Sequence, residues 1–199
     1  HRGGRCHTVS APLGYDLTVQ QLIPGYASLA RLAVALLAAS PLASRSGAPV
    51  LVAGCGTGAE LVEARSQRPD WQLWAIDPSA EMLAAAQQRL AASAEIHWQQ
   101  TTVEDLEAEA MFAGALSVLV LQSLPDDGTK LAFLTALARS LEPGGQLVLV
   151  DLMAPERSPL QAQVAAAWLG FQRASGLKAD AADLEPLTHG LHPIGEARL

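Results

Sequence analysis

Residues 50–61 read Val50-Leu51-Val52-Ala53-Gly54-Cys55-Gly56-Thr57-Gly58-Ala59-Glu60-Leu61. The first four are apolar whichever way they face, which predicts a short strand buried between two layers. Glycines at 54, 56 and 58 predict a bare turn, and a helix is expected from about Ala59. Glycine permits positive φ and carries no Cβ, so a ligand can lie directly against the backbone. The helix that follows directs its free N–H groups into the same space. Three glycines within five residues exceed what a plain turn needs. The stretch therefore reads as a cradle for a small molecule.

Spacing alone leaves the ligand ambiguous. Gly54-x-Gly56-x-x-Ala59 fits the dinucleotide fingerprint, whose last place accepts alanine. The next apolar run, Trp71–Ile76, predicts a second strand ending in Asp77, 77 − 58 = 19 positions beyond Gly58. A carboxylate there can accept both ribose hydroxyls of an adenosine, which suits either NAD or S-adenosylmethionine. Asp77-Pro78-Ser79 is also a good helix start, and both roles can hold at once.

Three stretches in order, VLVAGCGTGAEL, WAIDPSAEML and LARSLEPGGQLVLVDL, resemble the motifs of class I S-adenosylmethionine-dependent methyltransferases of the small-molecule type. The resemblance covers roughly Tyr15 to Leu152. It implies that Gly54, Cys55, Gly56 and Gly58 form the cofactor loop, with the glycines facing the methionine and ribose. Asp77 would hold the ribose hydroxyls, and Pro78 or Met82 would lie near the adenine. In the family an acid after the third strand often meets the adenine amino group. Here Thr102 or Val103 occupies that position, with Glu104 and Asp105 slightly later, so the Val103 backbone and a side chain from Thr102 or Asp105 would share the contact. Gln122 and Ser123, leaving the fourth strand, are expected to face cofactor and substrate. Tyr15–Ala39 resembles the lid that precedes the domain, with Gln20 and Gln21 where related chains often carry an arginine.

The 199 residues suit one domain with a substantial core, and 50% hydrophobic content excludes a disordered chain. The expected division is a flexible tail over 1–14 and one domain over 15–199: a helical lid (15–49), a cofactor core (50–152), and a C-terminal helix and tail (153–199). A net charge of −7 argues against a broad nucleic-acid surface. No apolar run approaches the roughly 20 residues of a membrane span. Cys6 and Cys55 are the only cysteines and form no disulfide framework, so a reducing, cytoplasmic setting is expected. His1, Cys6 and His7 match no compact metal site, and none is expected. The first residue is His rather than Met, which reads as a trimmed start.

Further elements follow from periodicity. Leu29, Leu32, Ala33, Leu36 and Leu37 predict one apolar helix face. Ala59–Gln67 and Ser79–Ala92 predict crossover helices, and Ile96–Gln100 a third strand. Ala115–Leu121 predicts a fourth strand, with Gly114 where relatives often have an acid. Asp127 or Thr129 can cap a helix running to Leu141, with Leu131, Leu134, Leu137 and Leu141 as its core stripe. Pro143-Gly144-Gly145 should break that helix before a fifth strand, Gln146–Leu152. Alternation of strands and helices implies a doubly wound, Rossmann-like α/β fold: a parallel sheet in the order 3-2-1-4-5 with helices on both faces. The hairpin that ends the family's sheet is not found, so the chain is either truncated or ends differently. The fifth strand would then be covered by the helix over Leu160–Phe171 or by another subunit, as in a homodimer.

The expected activity is methyl transfer from S-adenosylmethionine to a small-molecule acceptor by in-line displacement, leaving S-adenosylhomocysteine. Asp151, His189 and His192 are candidate bases without a visible orienting partner, and the catalytic residues stay open. Alternatives are a carboxy-S-adenosylmethionine synthase-like enzyme, resembled by residues 119–156 with Arg173 as its arginine, a non-catalytic cofactor-binding remnant, and an NAD-dependent dehydrogenase.

Overall fold

The computed structural model describes residues 12–90, 95–153 and 159–177. Their element order is α1 (Pro12–Leu22), α2 (Tyr26–Ala38), β1 (Pro49–Ala53), α3 (Ala59–Gln67), β2 (Gln72–Ile76), α4 (Ala80–Arg89), β3 (Ile96–Gln99), β4 (Phe112–Val118), a 3₁₀ turn (Leu121–Ser123), α5 (Thr129–Ser140), β5 (Leu141–Val150) and α6 (Gln161–Ala174). The five strands form one parallel sheet in the order β3-β2-β1-β4-β5, the order that right-handed crossovers require. No single helix among the described residues is long and apolar enough to cross a membrane.

The strand at the centre is buried because it pairs on both sides and is covered on both faces. β1 alternates as a two-sided strand should: Val50 and Val52 enter one core with Ala33 and Leu37 of α2 and Leu61 of α3, while Leu51 and Ala53 enter the other with Phe133 and Leu137 of α5. α2 lies so close to β4 that a Cβ on Gly114 would sit 2.6 Å from Leu37 Cδ1. Gly114 is therefore required by helix packing. The linker into β1 is stapled from the far side. Trp71 is buried and donates its indole N–H to the Ala43 carbonyl at 2.7 Å, and Arg68 donates to the same carbonyl at 2.8 Å.

Several expected boundaries and faces move. β4 begins at Phe112 and ends at Val118, three residues before the expected Ala115–Leu121 at each end. Its ladder ends there because Leu119 turns to φ 58°, and a 3₁₀ turn takes Leu121–Ser123. β5 starts at Leu141 and contains Pro143-Gly144-Gly145. The sheet accommodates them by a register shift between Phe112 and Gly114. In α5 the buried face is Lys130, Phe133, Ala136, Leu137 and Ser140, whereas Leu131 is 70% exposed. Phe133 sets this register, and Lys130 is accommodated because its ammonium donates to the Leu121 carbonyl at 2.5 Å. In α2, Ala33 and Leu37 are buried with Ala30 and Val34, leaving Leu32 and Leu36 exposed.

Of the helices, α2 and α5 contact β5. α6 packs on α1: Trp168 Nε1 donates to the Leu22 carbonyl at 2.5 Å, with Gln172 Nε2 at 3.5 Å from the same oxygen. Leu22 ends α1, so its carbonyl has no intrahelical donor and takes one from α6. The expectations for Cys6, His7, the N-terminal tail, His189 and His192 lie outside the described residues.

Candidate cofactor site

The glycine loop folds because three successive constraints fall on glycines. Gly54, Gly56 and Gly58 all take positive φ, at 68°, 50° and 87°. They do different work. A Cβ on Gly54 would collide with Val120, and one on Gly58 would press on Ala86 of α4 and on Leu90 just after it. A Cβ on Gly56 would meet nothing within 4 Å, because that position faces open space. Gly56 is thus the point where a ligand can approach the backbone. The loop is tied to the next strand by Cys55 N–H donating to the Ile76 carbonyl at 2.9 Å.

Asp77 follows β2 and joins the loop to α4. One carboxylate oxygen accepts the Gly56 N–H and the other the Ser79 N–H, each at 2.9 Å. Ser79 in turn caps α4 by accepting from Met82 N–H. Both sequence readings of Asp77, loop ligand and helix starter, thus describe the same carboxylate. Each oxygen has a further lone pair for a hydroxyl.

These elements enclose a cavity of about 350 Å³. Gly54, Cys55, Gly56 and Thr57 floor it, and Asp77, Pro78 and Met82 wall the end nearest β2. Tyr15 of α1, Tyr26 of α2, Val118 at the end of β4, and Leu119 and Val120 after it also line the cavity. Leu119 holds its unusual positive φ through its N–H to the Val150 carbonyl at 2.7 Å. Strained backbone of this kind concentrates at functional sites. α1 is fastened to the loop by Asp16, which accepts from Thr57 Oγ1 at 2.8 Å and pairs with Arg89 at 3.1 Å.

The electrostatics are one-sided. Among the described lining residues Asp77 and Glu60 are acidic and none is Lys or Arg. Burial pushes the Glu60 carboxyl up to about 7, with the Asp16 charge adding and Arg89 opposing. Burial pushes the Cys55 thiol up to about 12, aided by Asp77 and Glu60, which leaves it an inert neutral group. The Tyr15 and Tyr26 phenols are raised chiefly by burial and then by neighbouring carboxylates, so both remain protonated donors.

Of the residues expected to bind the cofactor, Gly54, Cys55, Gly56, Asp77, Pro78 and Met82 line the cavity. Gly58 lies beneath it against α4. Thr102 and Val103 do not line it. The Thr102 hydroxyl donates to Asp105 at 3.0 Å, and Val103 is buried in the core beneath α5. Gln122 is buried behind the wall, where its backbone N–H donates to Asp151 Oδ1 and its Oε1 accepts from Leu152 N–H; Ser123 reaches the cavity instead. Asp151 lies with Gln122 outside the lining, its carboxyl raised by burial. Glu60, Tyr15, Tyr26, Thr57 and Leu119 also line the cavity, without being expected as ligand residues. The one available signal was Glu60, an acid two residues beyond the last loop glycine.

Residues 50–145 match the family described as methyltransferase domain. An uncharacterized protein of Synechococcus sp. is 39% identical over 102 residues, a match covering 49% of this chain and 24% of that protein. The chain thus spans about a quarter of that relative. Among solved structures, Streptomyces venezuelae DesVI is 26% identical with TM-score 0.56, covering 72% of this chain and 58% of DesVI. CalS10, an amino pentose methyltransferase from Micromonospora echinaspora solved with S-adenosylmethionine bound, is 23% identical with TM-score 0.59, covering 79% and 62%. The sugar N-methyltransferase KedS8 from Streptoalloteichus sp. is 23% identical with TM-score 0.57, covering 79% and 60%. The glycine loop and the acid after β2 fall within the residues that the methyltransferase-domain family matches, and the 3-2-1-4-5 sheet is built around them.

Proposed function

We propose that the chain transfers a methyl group from S-adenosylmethionine to a small-molecule acceptor. The observation that carries this reading is the charge of the cavity. Two buried carboxylates, Asp77 and Glu60, line it, and no described lining residue is basic. A dinucleotide would bring its pyrophosphate to the N-terminus of the helix after the glycine loop, where Glu60 stands in the first turn of α3. S-adenosylmethionine carries a net positive charge and suits the same surroundings.

When bound, the cofactor supplies a methyl group on a cationic sulfur, open to in-line displacement by the acceptor. The chain's work is to bind, orient and keep water out. Asp77 is assigned to the ribose hydroxyls through the lone pairs left by Gly56 and Ser79. Gly56 gives the ligand its backbone contact. Tyr15 and Tyr26 supply hydroxyl donors over the cavity, while Val118, Leu119 and Val120 give it an apolar wall. Alignment of this kind is worth about 7–11 kcal/mol of barrier. Arg173, the residue that would favour a carboxy-S-adenosylmethionine synthase-like reaction, is exposed on α6 and does not line the cavity.

Calorimetric titration with S-adenosylmethionine, with NADH as control, tests the cofactor. Micromolar binding of the first and none of the second is expected. The reverse selectivity, or no binding of either, removes the proposal. Methyl transfer is then sought with radiolabelled cofactor on a panel of small amines, alcohols and acids.

A further inference from the structure

We infer that Glu60 is the counter-charge for the α-ammonium group of the cofactor's methionine. This rests on the cofactor reading above. Glu60 is 9% exposed and lines the cavity. Its carboxylate has its own backbone N–H as a donor; among the described residues no side chain donates to it. The other buried acid of the cavity is already held by two backbone N–H groups. A carboxylate kept in low dielectric without a cation is costly unless a ligand supplies one.

Among the described residues no cation hydrogen-bonds to Glu60. Asp16 and Tyr15 face it from α1, Tyr26 from α2, and Cys55 and Asp77 stand on either side of the loop. Among the described residues Arg89 of α4 is the one base that acts on it, from a distance, and Arg89 is paired with Asp16 at 3.1 Å. Of the two cationic centres in S-adenosylmethionine, the sulfonium has no N–H to donate, whereas the ammonium offers three. A carboxylate that only accepts is matched by the ammonium. Because burial holds the Glu60 carboxyl up near 7, the free protein carries a proton there at mildly acidic pH. Arrival of the ammonium expels that proton to solvent, so binding is linked to proton release.

The test is calorimetry on the whole chain at pH 6.5, in buffers of different ionisation enthalpy, with three ligands. S-adenosylmethionine has both cationic centres, S-adenosylhomocysteine keeps only the ammonium, and 5′-methylthioadenosine has neither. For the wild type, release of a fraction of a proton is expected with the first two and none with the third. Glu60→Gln should weaken the first two alike, by about tenfold to a hundredfold, abolish the release and leave 5′-methylthioadenosine unchanged. Loss confined to S-adenosylmethionine would assign Glu60 to the sulfonium and overturn the inference. Equal loss for all three ligands, or no loss, would overturn it too. The wild-type proton count needs no variant, so a poorly folding Glu60→Gln does not rescue the idea. A wild type that binds none of the three overturns the cofactor reading itself, whereas binding without proton release sinks only the role of Glu60.

Discussion

Asp77 and Glu60 are equally buried carboxylates on one cavity, yet the protein treats them oppositely. Asp77, 8% exposed, is held by the backbone N–H groups of Gly56 and Ser79. It stabilises the loop and the start of α4 whether or not a ligand is present. Glu60, 9% exposed, has no side-chain donor among the described residues, and burial raises its carboxyl to about 7. The first acid is a joint of the fold. The second is a strain on it, of the sort that persists where a ligand removes it.

The largest effect expected from breaking this contrast is at Asp77. Asp77→Ala removes two charge-assisted bonds of about 1.5–3 kcal/mol each. It should lower stability by roughly 3–6 kcal/mol in urea denaturation and abolish measurable cofactor binding. If stability is unchanged, Asp77 is not the joint described here.

Glu60→Gln should act in the other direction, and only at the right pH. The folded-state carboxyl lies at about 7 against 4.5 for the ordinary value. The folded protein therefore binds the proton more tightly, so this group's contribution is full below about pH 4.5 and is lost as pH rises through 7. The gap corresponds to roughly 3 kcal/mol. Without ligand, the variant should match the wild type near pH 4 and exceed it in stability by up to that amount near pH 8. Denaturation curves at the two pH values decide it, and a difference independent of pH would mean that Glu60 is already paired.

Gly56→Ala sharpens the distinction between joint and ligand contact. A Cβ there meets open space but sits at φ 50°, so strain of about 1–2 kcal/mol is expected. Cofactor affinity should fall further than stability does, because the methyl group projects into the cavity. Comparable binding by calorimetry would show that the ligand does not approach this backbone.

Asp16→Asn should have the smallest effect on stability, within about 1 kcal/mol, because its pair with Arg89 is partly exposed. It should also move the Glu60 titration to lower pH, since Asp16 raises that carboxyl and Arg89 lowers it. Following the pH dependence of unfolding in this background would register the shift, and a shift to higher pH would contradict the arrangement.

Legibility followed the range of the interactions. β1, the loop, α3, β2 and the start of α4 sit within a residue or two of where local pattern put them, because each is specified by neighbours in sequence: an unbroken apolar run, glycines at positive φ, and an Asp-Pro-Ser helix start. Beyond β3 the pattern was less informative. Leu131 looked like core and is exposed, because the register of α5 is decided by Phe133 against the sheet and by Lys130 reaching Leu121 O. The apolar run extends to Leu121 and points to Gln122 as the strand's exit, but Leu119 at φ 58° ends β4 at Val118, and a positive φ has no signature in a leucine. Thr102 and Val103 were placed by family position, and the chain uses them for a local cap and for core packing.

By itself, then, the sequence determined the sheet order, the glycine cradle and the acid after β2. These rest on hydrophobic period, backbone freedom and crossover handedness, which act over a few residues or apply to every chain of this kind. The tertiary structure alone decided that Tyr15 and Tyr26 line the cradle and that Asp16 fastens α1 to it, that α6 docks on α1, and that Glu60 lines the cavity with no side-chain donor among the described residues. Burial and charge pairing depend on which distant groups arrive beside a side chain. A glutamate in the first turn of a helix reads the same in sequence whether solvent or a lid comes to cover it.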